Sequence, residues 1–230
     1  MGKLVSKFKI ERRNGRHVIT MLDQSSSVTE SVFVVEGDSL SDNVKQILSY
    51  VYDECREFYE GYAPVRCGNL WGYVDVALCE RITPAYEDVY QVQEGFALVK
   101  KEDKYTFLTM GGVKWNENPY DDASPFQNGM AVVKRDGKYG YISRELCDAE
   151  KIPCQYEKAF GFNLVYPYAV VMKDGKYGMI DKSGNEVVKL MFDSYTTYMR
   201  QSGSLRYNAT IGDKLYRLMT DGTYKEVLSQ

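Results

Sequence analysis

Asn128-Gly129-Met130-Ala131-Val132-Val133-Lys134-Arg135-Asp136-Gly137-Lys138-Tyr139-Gly140-Tyr141-Ile142 reads as a hairpin. Two apolar runs flank Asp136-Gly137. An Asp-Gly link selects a type I′ turn because both of its central residues need positive φ. The stretch also recurs. Glu60-Gly61-Tyr62-Ala63-Pro64-Val65, Glu94-Gly95-Phe96-Ala97-Leu98-Val99 and Tyr166-Pro167-Tyr168-Ala169-Val170-Val171 rewrite its opening; Gly61, Gly95 and Gly129 lie 34 residues apart, and the fourth copy is offset by 38. A fixed period of this size is the mark of stacked structural units, which present surfaces more often than catalytic pockets.

Two further columns keep the same step. Trp71-Gly72-Tyr73, Tyr105-Thr106-Phe107, Tyr139-Gly140-Tyr141 and Tyr177-Gly178-Met179 form one, with Leu215-Tyr216-Arg217 as a worn fifth copy. Tyr52-Asp53, Tyr86-Glu87, Tyr120-Asp121, Tyr156-Glu157 and Phe192-Asp193 form the other. Lys173-Asp174-Gly175-Lys176 repeats the tight turn, and Cys67-Gly68-Asn69 and Glu102-Asp103-Lys104 are weaker versions. A second hairpin turns at Lys182-Ser183-Gly184-Asn185 in the fourth unit. The expectation is an all-β chain. Tandem antiparallel hairpin repeats of 34–38 residues over 49–230 form an elongated or partly closed array.

Glycine inside a strand marks close approach by another group. A ring from a neighbouring strand or unit is expected over Gly72 and Gly140, with Ala63, Ala97, Ala131 and Ala169 as matching small positions. Pro84, Pro119 and Pro153 are expected near the end of the short returning strand, where a missing N–H is tolerated. Residues 1–48 depart from the repeat and are read as a small α/β N-terminal cap. It comprises a hairpin around Asn14-Gly15, a strand at 31–35 and a short helix at 41–50, where Val44, Ile47, Leu48 and Val51 fall at helical spacing.

The chain has 230 residues, 44% hydrophobic, with a net charge of −3. That balance argues against nucleic acid as a partner. No apolar run approaches the roughly 20 residues that span a bilayer, and the N-terminus lacks a secretory apolar region, so a cytoplasmic setting is expected. The five cysteines contain no CxxC pair and are read as reduced thiols; Cys147 and Cys154 flank a short link and could oppose each other across a hairpin. Gly2 and Ser6 match an N-myristoylation pattern, read as incidental.

Trp71-Gly72-Tyr73-Val74-Asp75, followed by Ile82-Thr83-Pro84, Tyr86-Glu87 and Glu94-Gly95-Phe96-Ala97-Leu98-Val99, resembles the WG-containing repeat common in bacterial proteins. Lys138-Tyr139-Gly140-Tyr141-Ile142 and Lys176-Tyr177-Gly178-Met179-Ile180-Asp181 look like further copies. Tyrosine replaces the tryptophan outside Trp71, and Thr106 replaces one glycine. The resemblance implies a β-rich repeat array and supplies no catalytic residue to carry over.

His17 is the sole histidine and adjoins a turn, so sites built on histidine, metal centres included, are not expected. No phosphate-cradling glycine loop, GxSxG or HExxH is present. The acids Asp53, Glu87, Asp121, Glu157 and Asp193, accompanied by Lys104, Lys138, Lys176 and Lys214, are either a charged ladder for an extended partner or caps on backbone N–H groups. The aromatic columns are either packing between units or a platform for sugar rings. Asp75 and Asp181 are the carboxylates an enzyme would use, and nothing in the sequence brings them together. The expectation is a non-enzymatic module binding another protein, without cofactor, metal or membrane span. Carbohydrate or cell-wall-fragment binding by exposed aromatics is the alternative. Phe160, Phe162, Leu164 and Tyr166, in an apolar stretch longer than its counterparts, are the candidate partner-binding residues, unless that stretch plugs a gap in the array.

Overall fold

Tight turns with positive φ at both central residues shape this chain. Asp136 and Gly137 have φ of 51° and 78°, and Asp174 and Gly175 have 52° and 72°. Glu102 and Asp103 adopt the same turn without glycine, at 53° and 57°. A second set was read from the sequence as the start of a strand. Glu60-Gly61, Glu94-Gly95 and Asn128-Gly129 instead form turns that lead into it, each closed by paired backbone bonds such as those between Tyr59 and Tyr62.

The computed structural model describes residues 8–13, 16–22, 28–33, 48–49, 51–145, 150–162, 167–199, 205–219 and 221–227. An N-terminal antiparallel sheet has the order β1 (Phe8–Arg13), β2 (Arg16–Leu22), β3 (Val28–Phe33). Arg13 pairs with Arg16 across the expected Asn-Gly link. The helix expected at 41–50 lies outside the described residues apart from its last turn, where Leu48 and Ser49 are helical.

Five repeat sheets follow, all antiparallel in sequence order. Sheet 1 holds β4 (Glu54–Cys55), β5 (Tyr62–Cys67), β6 (Leu70–Asp75) and β7 (Glu80–Tyr86). Sheet 2 holds β8 (Asp88–Val89), β9 (Phe96–Lys101) and β10 (Lys104–Thr109). Sheet 3 holds β11 (Asp122–Ala123), β12 (Met130–Arg135), β13 (Lys138–Ser143) and β14 (Glu150–Tyr156). Sheet 4 holds β15 (Lys158–Ala159), β16 (Ala169–Lys173), β17 (Lys176–Ile180) and β18 (Glu186–Phe192). Sheet 5 holds β19 (Ser194–Met199), β20 (Leu205–Ile211), β21 (Lys214–Leu218) and β22 (Tyr224–Glu226). Each is a small open sheet, so the all-β expectation holds.

The chain divides into two compact units, Met1–Trp115 and Asn116–Gln230. In the first, Trp71, Tyr73 and Ile82 of sheet 1 pack on Ala97, Val99 and Leu108 of sheet 2. In the second, Tyr141, Ile152 and Tyr156 of sheet 3 pack on Ala169, Val171 and Ile180 of sheet 4. Met179, Val188 and Phe192 of sheet 4 then pack on Tyr207, Ala209 and Leu218 of sheet 5. A strand's two-residue period gives each sheet two faces. Burial of one large apolar side chain contributes about 1.5–3 kcal/mol, so these stacked faces are the main source of stability.

The strand glycines are crowded by backbone, not by a ring. Tyr139 pairs with Tyr156 and Tyr141 with Ile152, so β14 carries two extra residues opposite Gly140 and arches over it. A Cβ on Gly140 would stand 2.5 Å from the Ile152 carbonyl oxygen and 2.7 Å from the Cys154 nitrogen. Gly72 meets the Ile82–Pro84 backbone and Gly178 the Val188–Leu190 backbone in the same way. Where tyrosine replaces the glycine in sheet 5 the arch is missing, since Tyr216 faces β22 in unbroken register. Sheet 2 has no fourth strand, yet its chain returns alongside β10: Lys114 pairs with Leu108, and the Trp115 N–H donates to the Phe107 carbonyl at 2.7 Å. Pro84 and Pro153 occupy the arches, and Pro119 lies outside any strand. The alanines do not match the glycines either: Ala63, Ala97, Ala131 and Ala169 pair with Val74, Leu108, Ile142 and Ile180.

Candidate functional site

Each acid of the repeated column caps a turn. Asp53 accepts from the Gly68 N–H at 2.6 Å, Glu87 from Glu102 at 2.9 Å and Asp121 from Asp136 at 2.9 Å. Glu157 accepts from Gly175 at 3.1 Å and Asp193 from Gly212 at 2.7 Å. The hairpin turn of each sheet is thus tied to the chain that enters the sheet. Lysines of the accompanying column join in: Lys138 lies 3.7 Å from Glu157, and Lys176 bonds Asp193. This is the capping reading of the column.

The Lys176 ammonium and the Gly212 N–H hold the Asp193 carboxyl below its ordinary value. A lowered folded value means stability that is present above the unfolded value, about 3.9, and lost as pH falls through the folded one. Asp193→Asn is expected to shrink the loss of thermal stability on acidification below about pH 4. An acid limb identical to that of the parent chain would contradict the assignment.

The other carboxylates are also occupied. Asp75 accepts from the Ala77 and Cys79 N–H groups, each at 2.9 Å, and pairs with Arg81. Asp181 accepts from Ser183 at 2.8 Å and Asn185 at 2.9 Å. Both pin the second hairpin of their sheet.

The aromatic columns are built into the stack. Tyr73, Phe107, Tyr141 and Met179 are fully buried, Trp71 is 6 % exposed, and Tyr105, Tyr139 and Tyr177 are half-buried. Cations cover the partly open rings. Arg56 lies 3.8 Å from the Trp71 ring centre, Lys134 5.0 Å from Tyr139, Lys158 5.8 Å from Tyr177 and Lys100 5.9 Å from Tyr105. The Tyr141 hydroxyl donates to the Phe160 carbonyl at 2.8 Å, and that of Tyr73 to the Tyr90 carbonyl. No row of open rings is left for sugar among these residues.

Of the candidate docking residues, Leu164 and Tyr166 lie outside the described residues. Phe162 is fully buried, edge-on to Tyr141 at 5.1 Å between ring centres, so its side chain fills a gap and offers no surface. Phe160 is exposed and rests on Tyr195 at 4.9 Å. Phe162 also belongs to a column that the sequence reading missed. Phe58, Val92, Phe126 and Phe162 each follow their acid by five positions, and all are 3 % exposed or less. The signal was the constant distance from the acid.

Cys147 lies outside the described residues. Burial, then the nearby Glu150, pushes the Cys154 thiol up to about 12, and its Sγ lies 3.8 Å from the Val133 carbonyl oxygen. Iodoacetamide on the native protein at neutral pH is expected to modify exposed Cys67 and spare Cys154 until unfolding. Equal native rates at both would refute this. Among the described residues, no group of three His, Cys, Asp or Glu side chains could hold a metal ion, and no helix is long and apolar enough to cross a membrane. His17 lies in β2.

Sheet 5 breaks the pattern. Its inner face, Tyr207, Ala209 and Leu218, packs on sheet 4. The other face carries a row across all four strands: Thr196 pairs with Asn208, Asn208 with Arg217 and Arg217 with Lys225. Arg217 occupies the position that Tyr73, Phe107, Tyr141 and Met179 fill with buried apolar groups in the other sheets. Tyr198 follows Asp193 by five positions, the plug position, yet it is 36 % exposed and paired with Arg206. Aligning the worn fifth copy residue by residue would have shown these substitutions.

The sequence pattern of the WG containing repeat matches residues 45–71, 71–105, 120–139, 150–177 and 177–200. A comparison with curated proteins finds no match. Among solved structures, Hsv2 of Kluyveromyces lactis is similar at 12% identity and a TM-score of 0.42, over 93% of this chain and 71% of that one. PorZ, a surface component of the type-IX secretion system of Porphyromonas gingivalis, is similar at 10% identity and a TM-score of 0.35, over 96% of this chain and 32% of that one. Regucalcin of Agrobacterium tumefaciens is similar at 10% identity and a TM-score of 0.33, over 72% of this chain and 69% of that one. With its repeat pattern matched over more than half of its length, the chain belongs to the WG containing repeat family.

Proposed function

We propose that this protein is a non-enzymatic module whose repeat scaffold binds another protein. The observation that carries the reading is the use of every repeated column inside the fold. Rings stack between sheets or lie under cations, and the column acids cap turns. Asp75 and Asp181, the candidate enzymatic carboxylates, are held on turn N–H groups. Recurrent chemistry that is consumed by architecture leaves function to what differs between units: loops, edges and the face of sheet 5. A sugar platform needs rings open to solvent, and the repeated rings lack that exposure.

The test is capture from the native host, followed by a two-component titration with the purified partner. A saturable protein complex that insoluble cellulose, chitin and cell-wall polymer do not disrupt is the expected result. Stoichiometric retention on one of those polymers, with no protein partner in titration, would overturn the reading.

A further inference from the structure

We propose that the turn at Glu60-Gly61 docks a glutamate side chain of a partner protein. The proposal rests on the protein-binding reading above and names the group that the partner presents.

Sheet 2 shows the ligand chemistry. In the turn that leads into β9, one carboxylate takes both N–H groups: the Glu60 side chain accepts from the Glu94 N–H and from the Gly95 N–H, each at 3.0 Å. Consecutive N–H groups of a tight turn form a small anion-binding concavity. A paired bond to an ionised acceptor is stronger than a bond between neutral groups, and it fixes the direction of approach. The turn that leads into β5 has the same geometry. Glu60 and Gly61 have φ of 48° and 81°, against 53° and 82° at Glu94 and Gly95. The same two backbone bonds close each turn, between Tyr59 and Tyr62 and between Gln93 and Phe96. Yet among the described residues nothing accepts from the Glu60 N–H or the Gly61 N–H. The position one period earlier in the sequence is Ser26, which has no carboxylate.

The flanking side chains differ in the same sense. Tyr59 is 42 % exposed and Val76 is 36 % exposed. Their counterparts one period on, Gln93 and Met110, are half-buried, and Met110 packs on the cluster that joins sheets 1 and 2. A Cβ on Gly61 would lie 3.9 Å from the Val76 Cγ1, so Val76 borders the turn. Glu60 is exposed, and its own carboxylate is committed to the sheet 2 turn. The N–H pair therefore lies beside two open apolar side chains. A glutamate with an apolar neighbour matches both features. Its carboxylate takes the N–H pair, and the neighbour covers Tyr59 and Val76. Water already satisfies exposed N–H groups, so the gain comes from the charge of the acceptor and from the apolar area covered. A small anion obtains only the first of these, which favours a protein segment as the occupant.

The experiment titrates the isotope-labelled full chain and follows its backbone amides by NMR. The probe is an acetylated and amidated Tyr-Glu-Gly-Tyr peptide, the sequence of residues 59–62 that supplies the carboxylate to sheet 2. Saturable shifts are expected at the Glu60 and Gly61 amides and none at Glu94 and Gly95, which are already bonded. Glutamine in place of the peptide's glutamate should weaken binding about tenfold or more, and sodium acetate should bind about tenfold more weakly than the peptide. Val76→Glu sets a competing carboxylate beside the turn and should weaken peptide binding about tenfold, and Val76→Gln should weaken it less. Tyr59→Ser, at an exposed ring, is the second variant, with a smaller loss. No saturable shift at Glu60 and Gly61, equal binding of the glutamine peptide, or equal binding of acetate overturns the proposal. So does full-strength binding of the native partner by Val76→Glu, and that outcome leaves the protein-binding reading intact. Peptide binding with no protein partner in titration would instead remove that reading and, with it, the occupant named here.

Discussion

Gly140→Ala is expected to lose about 3 kcal/mol or more of unfolding free energy, while Gly137→Ala loses about 1–2 kcal/mol. The two glycines lie three positions apart and are demanded by different physics. Gly137 sits at φ +78° with nothing near its absent Cβ. An alanine there pays only the left-handed backbone penalty. Gly140 has no such φ, but its added methyl would meet the Ile152 carbonyl oxygen at 2.5 Å and the Cys154 nitrogen at 2.7 Å. Those are backbone atoms and cannot swing aside as a side chain would. The arch of β14 must lift, and with it the Tyr139–Tyr156 and Tyr141–Ile152 pairs. Urea unfolding of the two variants reads the order. Gly140→Ala equal to Gly137→Ala would remove the arch from the account.

The turns and the repeat were legible in the sequence because they are local. Asp136-Gly137 and Asp174-Gly175 specify their own backbone, and the acid column precedes the turn it caps by 15 residues in sheets 1 to 3 and by 18 and 19 in sheets 4 and 5. The cause of glycine at 72, 140 and 178 was legible only as crowding. Whether a ring or a backbone crowds a glycine depends on the register of the next strand, and a two-residue slip leaves no local trace in composition. The plug column was hidden for another reason. Phe58, Val92, Phe126 and Phe162 are single apolar residues in loops outside the strands, so the two-residue alternation of a strand does not reveal them. The stretch around Phe162 consequently read as either a plug or a docking surface, and its buried ring follows the plug rule of the other units. Sheet 5 was passed over because a worn copy looks like decay. Its departures become informative only when the positions they replace are known to be buried.

Phe162→Ala is expected to destabilise the protein by about 3–5 kcal/mol, the range for emptying a buried phenylalanine site. The ring is fully buried in the cluster with Tyr141, Ile152, Ala169 and Ile180, so its loss opens a cavity between sheets 3 and 4. The surroundings collapse poorly there. Tyr141 is held by its hydroxyl bond to the Phe160 carbonyl, and Ile180 and Ala169 belong to paired strands. Partner capture by Phe162→Ala should fall only as far as the folded fraction falls. Tyr198→Ala tests the same position in sheet 5 and should change stability by no more than about 0.5 kcal/mol, because an exposed ring leaves no cavity. A fold that treats equivalent positions so differently has freed the last one from packing. If Tyr198→Ala proved as costly as Phe162→Ala, Tyr198 would be a plug like the others.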